Sequence, residues 1–250
     1  MKKTALITGA SSGIGMATAK AFAAQGFRLI VCGRRKDRLE ELKKELSALT
    51  EVHLLVFDVS NRTEVEAVIA SLPENFKQID VLVNDAGNAH GLSPIQDGNV
   101  DDWDRMIDIN VKGLLYVSHA IIPQMVERKA GHIINLGSIA AKQVYPNGNV
   151  YCASKSAVDA ISQGMLIDLN PFGIKVTAIH PGLVETEFSL VRFKGDAEKA
   201  ANVYKGFQPL TAEDVAEVIL FTVTRPAHVN ISDLVLLPTA QASATVVKKG

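Results

Sequence analysis

The sequence has few cysteines, no long apolar run and almost no net charge, and each shortage excludes a class of protein. Its two cysteines, Cys32 and Cys152, stand in neither a CxxC pair nor a Cys/His ligand spacing, so we expect reduced, partly buried thiols. No stretch approaches the roughly 20 apolar residues that cross a bilayer, and no charged segment followed by an apolar run opens the chain. We therefore expect a cytoplasmic protein without a membrane partner.

The net charge and the positions of the histidines also limit the kinds of partner to be expected. Lysine and arginine number 26 against 27 aspartates and glutamates, a formal net charge of -1, which gives no global field to attract nucleic acid. The six histidines are scattered, with no HExxH or paired ligand spacing, so we expect no metal site. A small-molecule partner is the expectation that remains.

Apolar runs recur along the chain, and helix-compatible stretches separate them. With 250 residues, 47% of them hydrophobic, one substantial core is expected, and no repeat or proline-rich linker marks a boundary. The spacing predicts a doubly wound α/β fold: a Rossmann-type parallel sheet of about seven strands, with helices on both faces. The predicted strands are 4–8, 28–33, 53–57, 81–83, 132–136, 175–179 and 234–237. The first helix should run from Ile14 to Gln25, and Leu39, Leu42, Leu46 and Leu49 should share one helical stripe.

One segment breaks this regularity. Residues 182 to about 209 contain Phe188, Arg192, Phe193 and Lys194 without clear periodicity. A connection of this length in a compact domain usually covers a site, so we expect it to border a ligand.

A glycine-rich turn follows the first predicted strand, in the segment Thr8-Gly-Ala-Ser-Ser-Gly-Ile-Gly15. Three glycines at a strand-to-helix junction let backbone amides at the helix start approach a pyrophosphate. The spacing differs from GxGxxG, and a simple packing turn is the alternative.

The end of the second strand carries cations where an acid would favour NAD. Guanidinium groups bind phosphate in a bidentate manner, so Arg34, with Arg35 as second choice, should favour the 2′-phosphate of NADP. A solvated helix start is the competing interpretation. Asp58 and Asn84 end the third and fourth strands, where such folds place their ligand, and both are candidate adenine or ribose contacts.

Tyr151 and Lys155 are four residues apart in a helical stretch, which puts the phenol and the ammonium on one face. A neighbouring cation favours the phenolate, so we expect Lys155 to lower the pKa of Tyr151 and to let it exchange a proton. Ser138, after the preceding strand, could hydrogen-bond a substrate oxygen. Singly, each residue is also explained by packing, solvation or helix capping.

The motifs TGASSGIG, NDAG, IDIN, a strand-end serine and YCASK occur here in the order of the short-chain dehydrogenase/reductase family, which this chain resembles over nearly its whole length. The resemblance implies one domain over residues 1–250, with a cofactor half at about 1–130 and a catalytic and substrate half at about 131–250. It implies Ser138, Tyr151 and Lys155 as catalytic residues, and Asn110 as the fourth, which supports a water-linked proton relay to Lys155.

The same resemblance assigns the cofactor contacts. Lys155 would also bind the nicotinamide ribose, and Val184 and Thr186 would hold the carboxamide. Family members usually have asparagine at the position of Asp85, so a carboxylate there could raise the cost of desolvation. The complete predicted NADP set is Gly9, Ser11, Ser12, Gly13, Ile14, Gly15, Arg34, Arg35, Asp58, Val59, Asn84, Ala86, Gly87, Tyr151, Lys155, Pro181, Gly182, Val184 and Thr186.

The C-terminal third resembles the NADP-dependent serine or 3-hydroxy acid dehydrogenases of that family. They oxidise the 3-hydroxyl of serine, allo-threonine or 3-hydroxyisobutyrate, or reduce 3-oxo acids such as malonic semialdehyde. A carboxylate-bearing substrate would contact Ser138 and Tyr151 and need a cation nearby; Arg192 is the better candidate and Lys194 the other. An exposed or subunit-contact arginine is the alternative.

Other functions remain to be weighed against this prediction. The same chemistry could act on a 3-oxoacyl thioester, a sugar or a steroid. A dinucleotide-sensing regulator would typically lose the Tyr-Lys pair, which is present here, and a serine hydrolase would need a GxSxG elbow, which Ser138 lacks.

Two helical stretches, 114–125 and 153–169, are apolar around more of their circumference than one sheet contact requires. A second copy of the chain could cover the extra surface, so we expect a homotetramer or homodimer. Deeper burial within one subunit is the alternative.

Overall fold

The computed structural model describes residues 2–250, and a seven-stranded sheet with only parallel pairings runs through its centre. The strand order is β3-β2-β1-β4-β5-β6-β7, which reverses between β1 and β4. The strands are β1 Thr4–Ile7, β2 Arg28–Gly33, β3 Val52–Val56, β4 Val81–Asn84, β5 His132–Leu136, β6 Lys175–Pro181 and β7 Asp233–Leu236. The predicted doubly wound α/β sheet is confirmed, with strand ends within two residues of the expected positions.

Helices cover both faces of this sheet. They are α1 Gly13–Ala24, α2 Lys36–Leu46, α3 Arg62–Ala70, α4 Glu74–Lys77, α5 Val100–Ile107, α6 Leu114–Arg128, α7 Asn149–Leu169, α8 Phe188–Arg192, α9 Ala197–Tyr204 and α10 Ala212–Val223. Alternate strand residues supply two cores: Ile7 joins one with Phe22 of α1, and Leu6 joins the other with Val117 of α6. Burial on both faces is why the strands are nearly continuous apolar runs.

The leucine stripe predicted for α2 is one residue too long. Leu39, Leu42 and Leu46 are buried, but α2 ends at Leu46 and the fourth leucine, Leu49, is 57% exposed. Because the helical period stops with the helix, the spacing of Leu49 no longer places it on the buried face. Cys32 and Cys152 are both free and both fully buried, beyond the partial burial that we expected.

The irregular segment after β6 contains two short helices, α8 and α9, joined by a turn in which Lys194 and Gly195 have positive φ. An α8 of five residues is too short to produce a visible period in the sequence. Asp196 caps α9 by accepting a hydrogen bond from the Lys199 amide at 3.0 Å.

Between α5 and α6 the chain continues through a π-helical turn, Asp108–Gly113, that contains the buried Asn110. Such wide turns occur frequently at functional sites. Within residues 2–250, none of the helices combines the length and the apolar character needed to cross a membrane.

Candidate active site

A cavity of about 470 Å³ opens at the carboxyl ends of the strands, beside the reversal of strand order between β1 and β4. Open parallel sheets bind their ligands at this position. The predicted site residues that line the cavity are Gly9, Ser11, Ser12, Gly13, Ile14, Arg34, Arg35, Asp58, Val59, Ala86, Gly87, Ser138, Tyr151, Lys155, Pro181, Gly182, Val184, Thr186 and Arg192. The structure therefore brings both predicted ends of the site together in one cleft.

The glycine-rich turn forms one wall of the cleft. Gly9 and Gly13 have φ of +71° and +52°, a conformation that other residues rarely adopt. Ser12 is the N-cap of α1, but its side chain makes no capping hydrogen bond. The amides of Gly13 and Ile14 therefore remain available to an anion, whereas the amide of Gly15 faces Asp85.

Arginines stand at the far end of the cleft. Arg34 reaches Asp58 at 3.3 Å between Nη1 and Oδ2, and its side chain is 63% exposed. Arg35 is less exposed: its guanidinium donates to the hydroxyls of Ser11 and Ser12 and pairs with Glu187 at 2.8 Å. Both side chains line the same cavity as the glycine turn.

The other end of the cleft brings together the three predicted catalytic residues Ser138, Tyr151 and Lys155. The Ser138 hydroxyl accepts from the Ala140 amide at 3.1 Å, and Ser138 lies near enough to the Tyr151 phenol to oppose the rise of its pKa. Lys155 donates to the Leu136 carbonyl at 2.8 Å. Tyr151 and Lys155 are both more than nine-tenths buried, so electrostatic interactions at their polar atoms are stronger than they would be in water.

Burial sets the pKa values of this group, and the result differs from the prediction. Burial raises the pKa of Tyr151, and the cation that opposes this rise most is Arg192 rather than Lys155. Burial also lowers the pKa of Lys155 to about 8. Because burial disfavours the protonated form of Lys155, the lysine is less able to stabilise a phenolate at Tyr151 than its spacing in the sequence implied.

Asn110 lies directly behind the cavity wall. Its side chain accepts from the Asn88 amide and donates to the Asn88 carbonyl, both at 2.8 Å, and it also donates to the Ser154 hydroxyl at 3.0 Å. The atom Oδ1 of Asn110 and Nζ of Lys155 both flank Gly87, within 3.4 Å of the position that a Cβ there would take. The predicted relay residue thus stands next to Lys155 across one glycine.

Comparison with known proteins assigns this arrangement to a family. Residues 3–196 match the model of the short chain dehydrogenases. The chain belongs to the short-chain dehydrogenase family. The family prediction made from the motifs is thereby confirmed.

Individual relatives of this dehydrogenase are similar over almost their full length. Sulfoacetaldehyde reductase 2 of Chromohalobacter salexigens is 47% identical over 243 residues, 97% of this chain and 96% of that protein. The NADP-dependent 3-hydroxy acid dehydrogenase YdfG of Escherichia coli strain K12 is 47% identical over 240 residues, 96% of each chain. The closed form of a serine dehydrogenase complexed with NADP+ is 46% identical and superposes with a TM-score of 0.93 over 99% of both chains.

Two predicted cofactor contacts of this dehydrogenase do not line the cavity. Asn84 is buried and donates to Ser118 and Asn135, at 3.0 and 2.9 Å, so its amide serves the interior between β4, β5 and α6. Gly15 is buried on the inner side of α1, where its amide donates to Asp85. A polar residue at a strand end can face the sheet interior as well as the ligand, and the strand pattern alone does not separate the two directions.

Asp85 is wedged into the glycine turn. Its Oδ2 lies 2.8 and 2.7 Å from where a Cβ on Gly9 or Gly15 would be, so only glycines leave room for it. The Asp85 backbone amide donates to the Thr8 hydroxyl at 3.1 Å. Burial raises the pKa of Asp85 to about 7, although Lys155 and the Gly15 amide oppose the rise. The desolvation cost expected for this carboxylate is thus present in the structure.

Two residues near the substrate end were missed at the sequence level. Tyr145 lines the cavity and its hydroxyl accepts from Arg192 Nη2 at 2.9 Å. Gln241 also lines it, and its Oε1 accepts from the Leu183 amide at 2.9 Å. Neither stands in a motif, since Tyr145 lies in a loop and Gln241 comes from the C-terminal segment, so no spacing signal could identify them.

Proposed function

We propose that this chain is an NADP(H)-dependent dehydrogenase that interconverts the 3-hydroxyl of a small 3-hydroxy acid and the corresponding carbonyl. Serine, allo-threonine and 3-hydroxyisobutyrate are the candidate alcohols, and malonic semialdehyde is a candidate in the reverse direction. The relatives named as a 3-hydroxy acid dehydrogenase and a serine dehydrogenase agree with this substrate class.

The cleft fits NADP in its shape and its charge. The positive-φ glycines and the first two amides of α1 form a cradle for the pyrophosphate, and Arg34 and Arg35 offer guanidinium groups for the 2′-phosphate. When bound, the nicotinamide takes or gives the hydride. Val184 and Thr186 would hold its carboxamide, while Lys155 would bind its ribose.

The proton chemistry is assigned to four side chains. Tyr151 transfers the proton to or from the substrate oxygen, and Ser138, which lines the same end of the cavity, orients that oxygen. Lys155 holds positive charge near the phenol. Asn110, one glycine away, supports the water-linked relay that returns the proton to Lys155.

The observation that best supports an acid substrate is the position of Arg192. Its guanidinium lies over the Tyr151 ring, 4.8 Å from the centroid, and over the Phe188 ring at 5.0 Å. Nη2 donates to Tyr145, while the buried Nε has no hydrogen-bond partner. A carboxylate two carbons away from a hydroxyl at Tyr151 would bring the opposite charge to this guanidinium, which lines the cavity.

The first experiment measures absorbance at 340 nm with NADP or NAD and four substrates: serine, 3-hydroxyisobutyrate, a neutral polyol and a 3-oxoacyl thioester. We expect turnover of the 3-hydroxy acids with NADP. Activity confined to NAD would contradict the role of Arg34 and Arg35, and turnover of the thioester alone would contradict the acid substrate.

The second experiment compares Arg192→Leu with Arg225→Leu. Arg225 stacks on Phe221 outside the cavity, so its removal controls for the loss of an arginine from a surface. Arg192→Leu should lower kcat/KM for 3-hydroxy acids by about 10- to 100-fold more than for neutral alcohols, as expected for a lost charged hydrogen bond. Equal loss on both substrate types would remove the proposed carboxylate contact.

A second candidate substrate is a sulfonate-bearing aldehyde. The 47% identical relative is named a sulfoacetaldehyde reductase, and a sulfonate presents oxygen acceptors to Arg192 as a carboxylate does. Reduction of sulfoacetaldehyde with kcat/KM at least tenfold above that for malonic semialdehyde would favour this candidate.

Assembly as a homodimer or homotetramer is part of the proposal. Leu115 on α6 and Ile167 on α7 are 40% and 73% exposed, although both helices bury their other faces. A second copy that covers these side chains would account for them. Light scattering at micromolar concentration should give twice or four times the mass of one chain, and a monomer would contradict the assembly. The cytoplasmic location also stays a prediction.

A further inference from the structure

Behind the Ser138 loop, a buried histidine contacts a group of partly exposed charged side chains. We call it the His180 cluster: His180 of β6, Asp159 of α7, Asp233 of β7, and Lys142, which follows the loop. The imidazole is fully buried. It faces the backbone of Ser138 on one side and the two carboxylates on the other.

The side toward Ser138 is a close contact. His180 Nδ1 lies 3.3 Å from the Ser138 amide nitrogen and 3.2 Å from the Ser138 carbonyl oxygen. The ring lies so close to Gly137 that any side chain there would overlap it. The peptide that precedes the Ser138 hydroxyl is therefore held against one imidazole ring.

The other side sets which nitrogen carries the proton. His180 Nε2 lies 3.3 Å from Asp233 Oδ1 and 3.5 Å from Asp159 Oδ1. Neither contact has hydrogen-bond geometry, but two carboxylates this close to the nitrogen favour a proton on it by their charge. Nδ1 is then unprotonated and accepts from the Ser138 amide.

Lys142 pairs with both acids. Its Nζ lies 2.9 Å from Asp159 and 2.6 Å from Asp233. Burial opposes ionisation of Asp159, yet Lys142 holds its pKa below the ordinary value. Burial and Lys142 likewise lower the pKa of His180, against the pull of Asp233 and Asp159. The lowered pKa favours the neutral imidazole, although a backbone hydrogen bond to Ser138 also opposes the shift.

The same residues resemble a metal site, since Asp159, His180 and Asp233 can bring ligand atoms within 4.8 Å of one another. Lys142 already lies against both carboxylates and supplies the positive charge. A structural and electrostatic role therefore accounts for the cluster without an ion.

From this geometry we propose that His180 is a positioning residue for Ser138. It holds the Ser138 peptide so that the hydroxyl, fixed at its oxygen by the Ala140 amide, points its proton toward the reacting oxygen and Tyr151. This inference rests on the proposed dehydrogenase function, because orientation of Ser138 matters only if Ser138 contacts the substrate.

Two variants separate the two sides of the ring. In His180→Asn the amide oxygen takes the place of Nδ1 and can still accept from Ser138. In His180→Gln the amide takes the place of Nε2 and reaches the acids instead. We expect His180→Asn to keep kcat within about threefold, and His180→Gln to lose about 10- to 100-fold, as expected for reactive groups displaced by up to about 1 Å.

A double-mutant cycle with Ser138→Ala decides whether the effect passes through Ser138. In the Ser138→Ala background, His180→Gln should change kcat by less than about twofold, because no hydroxyl is left to orient. A loss of the same factor in both backgrounds, or equal loss in His180→Asn and His180→Gln, would overturn the proposal. A melting temperature lowered without any loss of kcat would also overturn it.

Two controls keep the result decisive. If His180→Gln does not fold, Asp233→Asn takes its place, since Asp233 is half-exposed and its removal takes one acceptor from Nε2; we expect a loss of kcat of about threefold or more that vanishes in Ser138→Ala. The assays follow NADPH oxidation with the best carbonyl substrate of the wild type. If that substrate is not a 3-oxo acid, the proposed substrate class is wrong. The double-mutant cycle would still decide whether His180 acts through Ser138.

Discussion

Replacing Asp85 with asparagine should stabilise this dehydrogenase, and only above mildly acidic pH. The carboxylate is packed against Gly9 and Gly15, and burial raises its pKa to about 7 in the folded chain. In the unfolded chain it returns to about 4. The folded protein therefore holds a proton that the unfolded chain releases, so stability falls as pH rises between these two values.

The magnitude follows from the two pKa values. Each pH unit between them is worth about 1.4 kcal/mol, so the full cost above pH 7 is about 4 kcal/mol. Asparagine would also deprive Lys155 of a favourable charge, since Asp85 raises the lysine pKa. We therefore expect a net gain of about 2 kcal/mol, which for a chain of this size raises the melting temperature by about 4–8 °C.

The assay is thermal unfolding of the wild type and Asp85→Asn at pH 4.5 and pH 8.0. The gain should appear at pH 8.0 and be much smaller at pH 4.5, because that pH is only about half a unit above the carboxyl's pKa in the unfolded chain and most of the pH-dependent cost has not yet built up. Asp104→Asn, at an exposed position of α5, is the matched control and should show no such difference. An equal effect of Asp85→Asn at both pH values would refute the assignment of a protonated, desolvated carboxyl.

Three further outcomes are expected. Tyr151→Phe should lower kcat by at least about 100-fold with little change in NADPH affinity, measured by NADPH fluorescence, because it removes the proton donor and keeps the ring. Arg35→Leu should raise the Kd for NADPH by about tenfold and leave NADH unchanged by the same assay. Glu187→Gln should lower the Kd for NADPH by about two- to fivefold, because the exposed ion pairs of Glu187 with Arg35 and Arg38, at 2.8 and 2.6 Å, no longer compete with phosphate. An NADPH affinity unchanged by Glu187→Gln would mean that these pairs do not compete.

Most of the sheet and the two ends of the cleft were predictable because they depend on short-range patterns. Apolar runs marked all seven strands, and the glycine turn and the Tyr151–Lys155 spacing marked the two ends. These features lie within a few residues of one another in the chain, so spacing alone reports them.

The rest depends on contacts between distant residues. Asn84 and Asp58 both end strands, but only the fold reveals that the first faces the interior and the second the cavity. The sequence spacing predicted that Lys155 lowers the pKa of Tyr151, but in the fold burial raises this pKa and Arg192 is the main cation that opposes the rise. Neither the burial of the phenol nor the approach of Arg192 is visible in the sequence. The same holds for His180, whose partners come from three other segments.

The π-helical turn at Asp108–Gly113 sets the orientation both of Asn110, within the turn, and of Leu115, in the helix that follows it. Each residue added or removed there would rotate the following helix by about 100°. Such a change would swing the Asn110 amide away from Asn88 and, in the same movement, turn Leu115 toward a different side of the molecule. A single insertion in this turn would therefore disturb the proposed proton relay and the proposed subunit contact together.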